Sequence, residues 1–158
     1  MNLTERLAEH VQGIFSGGNW TAVSIQQTLS DLSFEEATRQ LPQFNSIALL
    51  TFHIGYYIKE LRMMIDGAPL EAQDKLSWEM QPMHAAWQWD MLRNDTVHQG
   101  ELLAKYVKEM PETRLWEYLG EKQYGDFYHN IHGIIEHTHY HLGQIVIIKK
   151  MIRQKVSK

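Results

Sequence analysis

Between Asp126 and Gln154 the apolar residues Phe127, Ile131, Ile134, Ile145, Ile148 and Ile152 recur at intervals of three, four and eleven. Each interval returns an α-helix to the same side, so the segment reads as one long helix with a single apolar stripe. Such a stripe needs other elements to cover it, and three further patterns supply them. Leu3, Leu7, Val11 and Ile14 or Phe15 predict a helix over Leu3–Phe15. Ile47, Leu50, Ile54, Tyr57, Ile58, Leu61 and Ile65 predict one over Ser46–Ile65, with Asn45 as N-cap and Gly67 and Pro69 as the stop. Ala86, Trp89, Leu92, Val97, Leu102, Leu103, Tyr106 and Val107 predict one from about Pro82 to Met110, closed by Pro111, with Gly100 in its middle.

Between these patterns the chain is less regular. The pair Gly17-Gly18 marks a bend, after which Val23, Ile25, Leu29 and Leu32 predict that helix resumes over Trp20–Leu32. Ser33–Phe44 reads as a connection, as does Ala68 to about Gln81, with Ser77-Trp78-Glu79 on the surface or tucked over the bundle end. Glu112–Gly125 is a further connection, whose Trp116, Tyr118 and Leu119 cover part of the core. No strand-like alternation survives beside the helical patterns. The expected fold is all-α, a four-helix bundle in one domain over residues 1–158.

Composition narrows the function. With 44% hydrophobic and 22% charged residues the chain has the make-up of a soluble globular protein. A net charge of −4 and a pI of 6.1, with Lys and Arg clustered only over Lys149–Lys158, give no surface for a polyanion, so no nucleic-acid partner is expected. The absence of cysteine removes disulfides, thiolate metal sites and a cysteine nucleophile together. Met1-Asn2-Leu3-Thr4-Glu5-Arg6 has no signal-peptide pattern, and no apolar run approaches the roughly 18 residues of a membrane span. A cytoplasmic protein with no membrane partner is the expectation.

Histidine is the outlier: nine in the chain, five of them between His129 and His141. His137 and His141 are four residues apart, so on a helix their imidazoles leave one face a turn apart, at the edge of the apolar stripe. His53 occupies the same kind of edge on the Ser46–Ile65 helix. Three such residues can meet in a cleft between two helices, and three neutral imidazoles suffice for zinc or nickel while leaving a position open for water or substrate. Spacing alone equally admits a hydrogen-bonded, half-buried His53 with His137 and His141 on the surface. Glu60, two turns from His53, and Glu136, beside His137, are candidates to orient a ligand or accept a proton; each also reads as an ordinary solvated glutamate. His132 and His139 fall on the opposite flank of the stripe, solvated or interfacial, and His10, His84, His98 and His129 have no spacing that assigns a role.

Other chemistries lack their residues. No glutamate follows His137 as a zincin protease helix requires, and His137 with His139 would suit a strand where the period is helical. Paired Glu-x-x-His motifs of di-iron bundles, phosphate-binding glycine loops and Gly-x-Ser-x-Gly elbows are absent.

The stretch His132-Gly133-Ile134-Ile135-Glu136-His137-Thr138-His139-Tyr140-His141-Leu142-Gly143-Gln144-Ile145 resembles the last-helix signature of the DinB-like, or YfiT-like, superfamily of metal-dependent hydrolases. Gly17-Gly18-Asn19-Trp20 is similar to the bend near the start of many members, and Asn45-Ser46-Ile47 with Phe52-His53-Ile54 resembles their second helix. The resemblance implies an up-down-down-up bundle, often a homodimer, with a divalent metal held by His53, His137 and His141. It implies a metal-dependent enzyme acting on a small molecule, either a hydrolase or an S-transferase that uses a low-molecular-weight thiol such as bacillithiol or mycothiol. The alternative is a non-catalytic bundle, metal-stapled or metal-free, that binds a small apolar ligand or another protein.

Overall fold

The computed structural model describes residues 2–154, so residues 155–158 of the basic cluster Lys149–Lys158 lie outside the described residues. The chain is all-helical: α1 (Leu3–Ser16), α2 (Ile25–Leu29), α3 (Phe34–Thr38), α4 (Ile47–Ile65), α5 (Ala86–Glu109) and α6 (Phe127–Gln154), with 3-10 turns at Asp74–Trp78, Glu112–Trp116 and Lys122–Tyr124. No strand occurs among the described residues. The long helices α1 and α4 each pack against both α5 and α6. Val11, Ile14, Phe15, Ile47, Ile54, Ile58, Leu103, Ile131 and Ile145 lie fully inside the core they enclose.

Specific contacts fix the helix directions. Leu3 N donates to Glu112 Oε2 beyond the end of α5 (3.1 Å), whereas Ser16 at the end of α1 donates to Glu101 within it (3.1 Å), so α1 and α5 are antiparallel. On α4, Gly55 faces Thr96, while Arg62 reaches forward to Gln99 (3.0 Å) and lies over the Tyr106 ring, so α4 and α5 are parallel. His53 meets His141 and Tyr57 meets His137, which makes α4 and α6 antiparallel. Helices α1 and α6 therefore run one way, α4 and α5 the other.

The parallel pair positions the site. A 19-residue helix is about 28 Å long, and the chain leaving α4 has to travel back along it before α5 can begin. That return connection carries the 3-10 turn Asp74–Trp78 past the middle of α4, where His53 sits.

Several sequence expectations change in detail. The helix expected over Trp20–Leu32 is confined to Ile25–Leu29, and Trp20 is 99% exposed. Asn19 prevents the longer helix: its Nδ2 donates to Gly13 O (2.8 Å) and Val23 O (2.7 Å), and its Oδ1 accepts from Thr21 N (2.9 Å). With Ala22 at φ 54°, this closes a turn that a continuous helix would break, and Ser24 then caps α2. Asn19→Ala is expected to cost about 1–3 kcal/mol, because it removes three hydrogen bonds that close the turn, although Gly13 O keeps its bond from Gly17 N. Urea unfolding checks it, and an unchanged midpoint would show the turn to be held by something else.

Ser33–Phe44 is more than a connection, because Ser33 and Glu36 form a reciprocal capping box that starts α3. Arg153 of α6 then binds Glu36 and Asp31 (each 2.8 Å), tying that segment down. Ser46, not Asn45, caps α4 by accepting from Leu49 N (3.2 Å). Helix α5 begins at Ala86 rather than near Pro82, its free amides at His84 and Ala85 being met by Gln88 Oε1 (2.6 and 3.0 Å). Asp126 Oδ1 accepts from His129 N (2.8 Å) and so caps α6.

Candidate metal centre

His53 projects from the middle of α4 and His137 and His141 from successive turns of α6, and the three meet across the antiparallel α4–α6 contact. Their ring centroids lie 4.5 to 4.8 Å apart, and one ligand atom from each falls within 4.8 Å of the others. Of the alternatives the spacing left open, the surface reading does not hold: His53 and His141 are buried, at 3% and 7% exposure, and His137 is half-buried. Nitrogens bound at about 2.0–2.1 Å stand about 2.9 Å apart at right angles and about 3.4 Å apart in a tetrahedron. The separation of 2.9 Å between His53 Nε2 and His137 Nε2 is of that size.

Hydrogen bonds fix which nitrogen of each ring is free. Ser77 Oγ donates its single proton to Asp74 O (2.6 Å), so it can only accept from His53 Nδ1–H (2.8 Å), which leaves the His53 Nε2 lone pair directed at the site. Gln144 Oε1 accepts from His141 Nδ1–H (2.8 Å) and frees His141 Nε2 in the same way. His137 Nε2 then has to donate to His53 Nε2, and its own Nδ1 is buried with no partner. Lone pairs converging on one point beside an orphaned ring nitrogen are a poor arrangement for imidazoles alone. They would suit a cation, to which His53, His137 and His141 would each offer Nε2 with the His137 proton on Nδ1.

The surroundings keep the His53 and His137 rings neutral. Burial, then the proximity of His141, pushes His53 down to about 4, and burial followed by the neighbouring His141 and His53 does the same to His137. Trp78 stacks on His53 with centroids 3.7 Å apart, and Tyr57 meets His53 and His137 edge-on at 5.2 and 5.0 Å. Tyr57 OH donates to Asp74 Oδ1 (2.8 Å); burial and this carboxylate raise the phenol to about 12, so it stays a donor. Tyr56 OH accepts from Gln73 N (2.9 Å), and together these bonds hold the 3-10 turn over the site.

A stability window follows. Unfolded histidines titrate at about 6.5, above the folded values, so the unfolded chain binds more protons between those limits. In the presence of chelator, stability is expected to be full above pH 6.5, to fall as pH drops from 6.5 to 4, and to lose nothing more from these rings below that. Asp31, held at about 2 by hydrogen bonds from Lys149 and Arg153, gives up its contribution only at lower pH. Urea melts at pH 7, 5.5 and 4.5 read the histidine part, and equal midpoints at all three would contradict it.

The expected carboxylates have other places. Glu136 is exposed and bonds none of the three histidines, and the orienting role expected of it belongs to Ser77 and Gln144. Glu60 is half-buried and also bonds none of them; it lies on the wall of a cleft of about 300 Å³ that opens beside His137. His132 and His139 are half-buried away from the centre, His132 against the Tyr128 ring. Ser77, Trp78, Asp74, Tyr57 and Gln144 are the site residues that sequence reasoning missed. Gln144 had a readable signal, one helical turn after His141, whereas nothing in the spacing of Asp74–Trp78 pointed to α4.

Fold and site together define an all-helical protein with a three-histidine group able to hold a metal ion. No family model matches the chain, and no match was found among curated proteins or among solved structures. No helix among the described residues is long and apolar enough to cross a membrane.

Proposed function

We propose that this chain is a metal-dependent enzyme of the DinB-like type, a hydrolase or an S-transferase for a low-molecular-weight thiol, with zinc or nickel held by His53, His137 and His141. The observation that carries the reading is the pair of Nδ1–H bonds to Ser77 and Gln144, which aim two Nε2 lone pairs at the point that His137 completes. Supporting the DinB-like type are the opposed directions of α1 and α6 against α4 and α5, and the His137–His141 motif on the last helix.

A divalent ion held by His53, His137 and His141 would supply Lewis acidity, lowering the pKa of a water or a thiol. The chain's own residues do the rest. Ser77 and Gln144 hold two imidazoles in the ligand tautomer, and Trp78 and Tyr57 keep bulk water off the rings. The cleft beside His137 gives a small molecule access from the α4–α6 side. A homodimer belongs to the same proposal and is read by sedimentation.

Elemental analysis of protein purified without chelator is the first test, with one zinc or nickel per chain expected. The second is turnover of a hydrolase and thiol-transfer panel by metal-loaded against metal-stripped protein. No metal, together with no affinity for added zinc or nickel, would overturn the metal reading; stoichiometric metal with identical panel results in both forms would favour the non-catalytic bundle.

A further inference from the structure

The cleft beside His137 has an unusual floor. Gly133 lies on its lining within α6, and a Cβ built there would meet nothing within 4 Å. Glycine in a helix interior is destabilising relative to alanine, and here neither a positive φ nor a close neighbour calls for it. What it leaves is space, bounded by the apolar side chains of Leu61 and Ile134. The polar part of the wall is Glu60, Asn130 and His137 with the rings of Tyr57 and Tyr124, and Glu60 is its one carboxylate, with no Lys or Arg among the lining residues. Glu60 is half-buried and makes no hydrogen bond or ion pair among the described residues. An unpaired carboxylate in a largely apolar cleft that two aromatic rings also line attracts a cation and repels an anion.

We propose that this cleft binds a small molecule with an apolar body and a quaternary or protonated nitrogen, the nitrogen seated by Glu60, Tyr57 and Tyr124 and the body lying over Gly133. Glu60 is seven residues from His53, about 10 Å along α4, so a ligand anchored by its cation there presents its far end to the histidines. That the far end reacts rests on the metal-dependent reading above; that the cation binds does not. The substrate class is then a cationic small molecule whose reactive group lies several bonds from its nitrogen.

Phenyltrimethylammonium and tert-butylbenzene have the same shape, differ by one charge, and carry no lone pair that could ligate a metal. Titrated into the full chain, zinc-loaded and zinc-stripped, and followed by tryptophan fluorescence and ligand NMR, the cation is expected to bind at least about 10-fold tighter in both forms. Glu60→Gln should bring the ratio close to one. Gly133→Leu should lose both probes while keeping the wild-type helical circular dichroism, since the added side chain enters open space. Equal binding of the two probes, no saturable binding by either, an unchanged ratio in Glu60→Gln, or retained binding in a folded Gly133→Leu would each overturn the proposal. Zinc stoichiometry, measured on the same samples, reports the metal reading separately: its absence leaves the probe result standing, and its presence does not rescue a failed one.

Discussion

His141→Ala is expected to lower zinc or nickel affinity by more than about 100-fold, since changing only a residue that orients a metal ligand already costs about 10–100-fold. The variant should still fold. Helix α6 buries Ile131, Ile134, Ile145, Ile148 and Ile152 independently of the ring, and alanine favours the helix more than histidine does. Removing the imidazole also relieves the crowding of lone pairs that faces His53 and His137 without a cation. Ser77→Ala and Gln144→Ala should fall between this variant and the wild type, each losing about 10–100-fold through the wrong tautomer rather than a lost ligand. Competition against a chromophoric chelator at pH 7 orders the four proteins. Wild-type affinity in His141→Ala would show that the ring is not a ligand, and full affinity in Ser77→Ala would remove the tautomer argument for His53.

The part of this site that could be read from sequence is the part that one helix determines. His137 and His141 share a face of α6 whatever surrounds it, and their place beside Ile134 and Ile145 says that this face borders the core. His53 was legible for the same reason on α4. Periodicity gives a face and no direction, however, so the parallel course of α4 and α5 was implied only by the family resemblance, and its consequence, that the connection between them passes over His53, could not be read. Ser77 and Trp78 belong to the site because of that path, and their local sequence would read the same if it ran elsewhere. Local side-chain chemistry decided the other departures. Asn19 bonds three backbone groups at once and outweighs the helical pattern of Val23, Ile25 and Leu29. The Ser33-x-x-Glu36 capping box, by contrast, was written in the sequence and marks the start of α3.

Gly100→Ala is expected to destabilise the fold by about 2 kcal/mol, the net of two opposed effects. Alanine is favoured over glycine in a helix interior by about 1 kcal/mol, and overpacking a closed core costs about 1–3 kcal/mol or more. Here the second prevails: a Cβ at Gly100 would stand 2.2 Å from Phe15 Cγ and 2.5 Å from both Cδ atoms, where carbon atoms settle at about 3.5–4.0 Å. The ring cannot turn aside, because the added atom meets its root rather than its tip and Phe15 is fully buried. Relief therefore requires α1 and α5 to separate. Phe15→Leu, costly on its own, should recover part of the loss when combined with Gly100→Ala, with a coupling of about 1–2 kcal/mol in the double-mutant cycle. Urea midpoints at constant slope measure all four corners, and a neutral or stabilising Gly100→Ala would mean that the two helices do not approach this closely. Zinc affinity should change less than about 3-fold in the folded variant, because the three histidines belong to the α4–α6 contact and the strain falls on α1–α5. A large loss of metal binding would instead show that α5 holds α4 in register with α6, which makes the cycle a test of how independent the centre is of its scaffold.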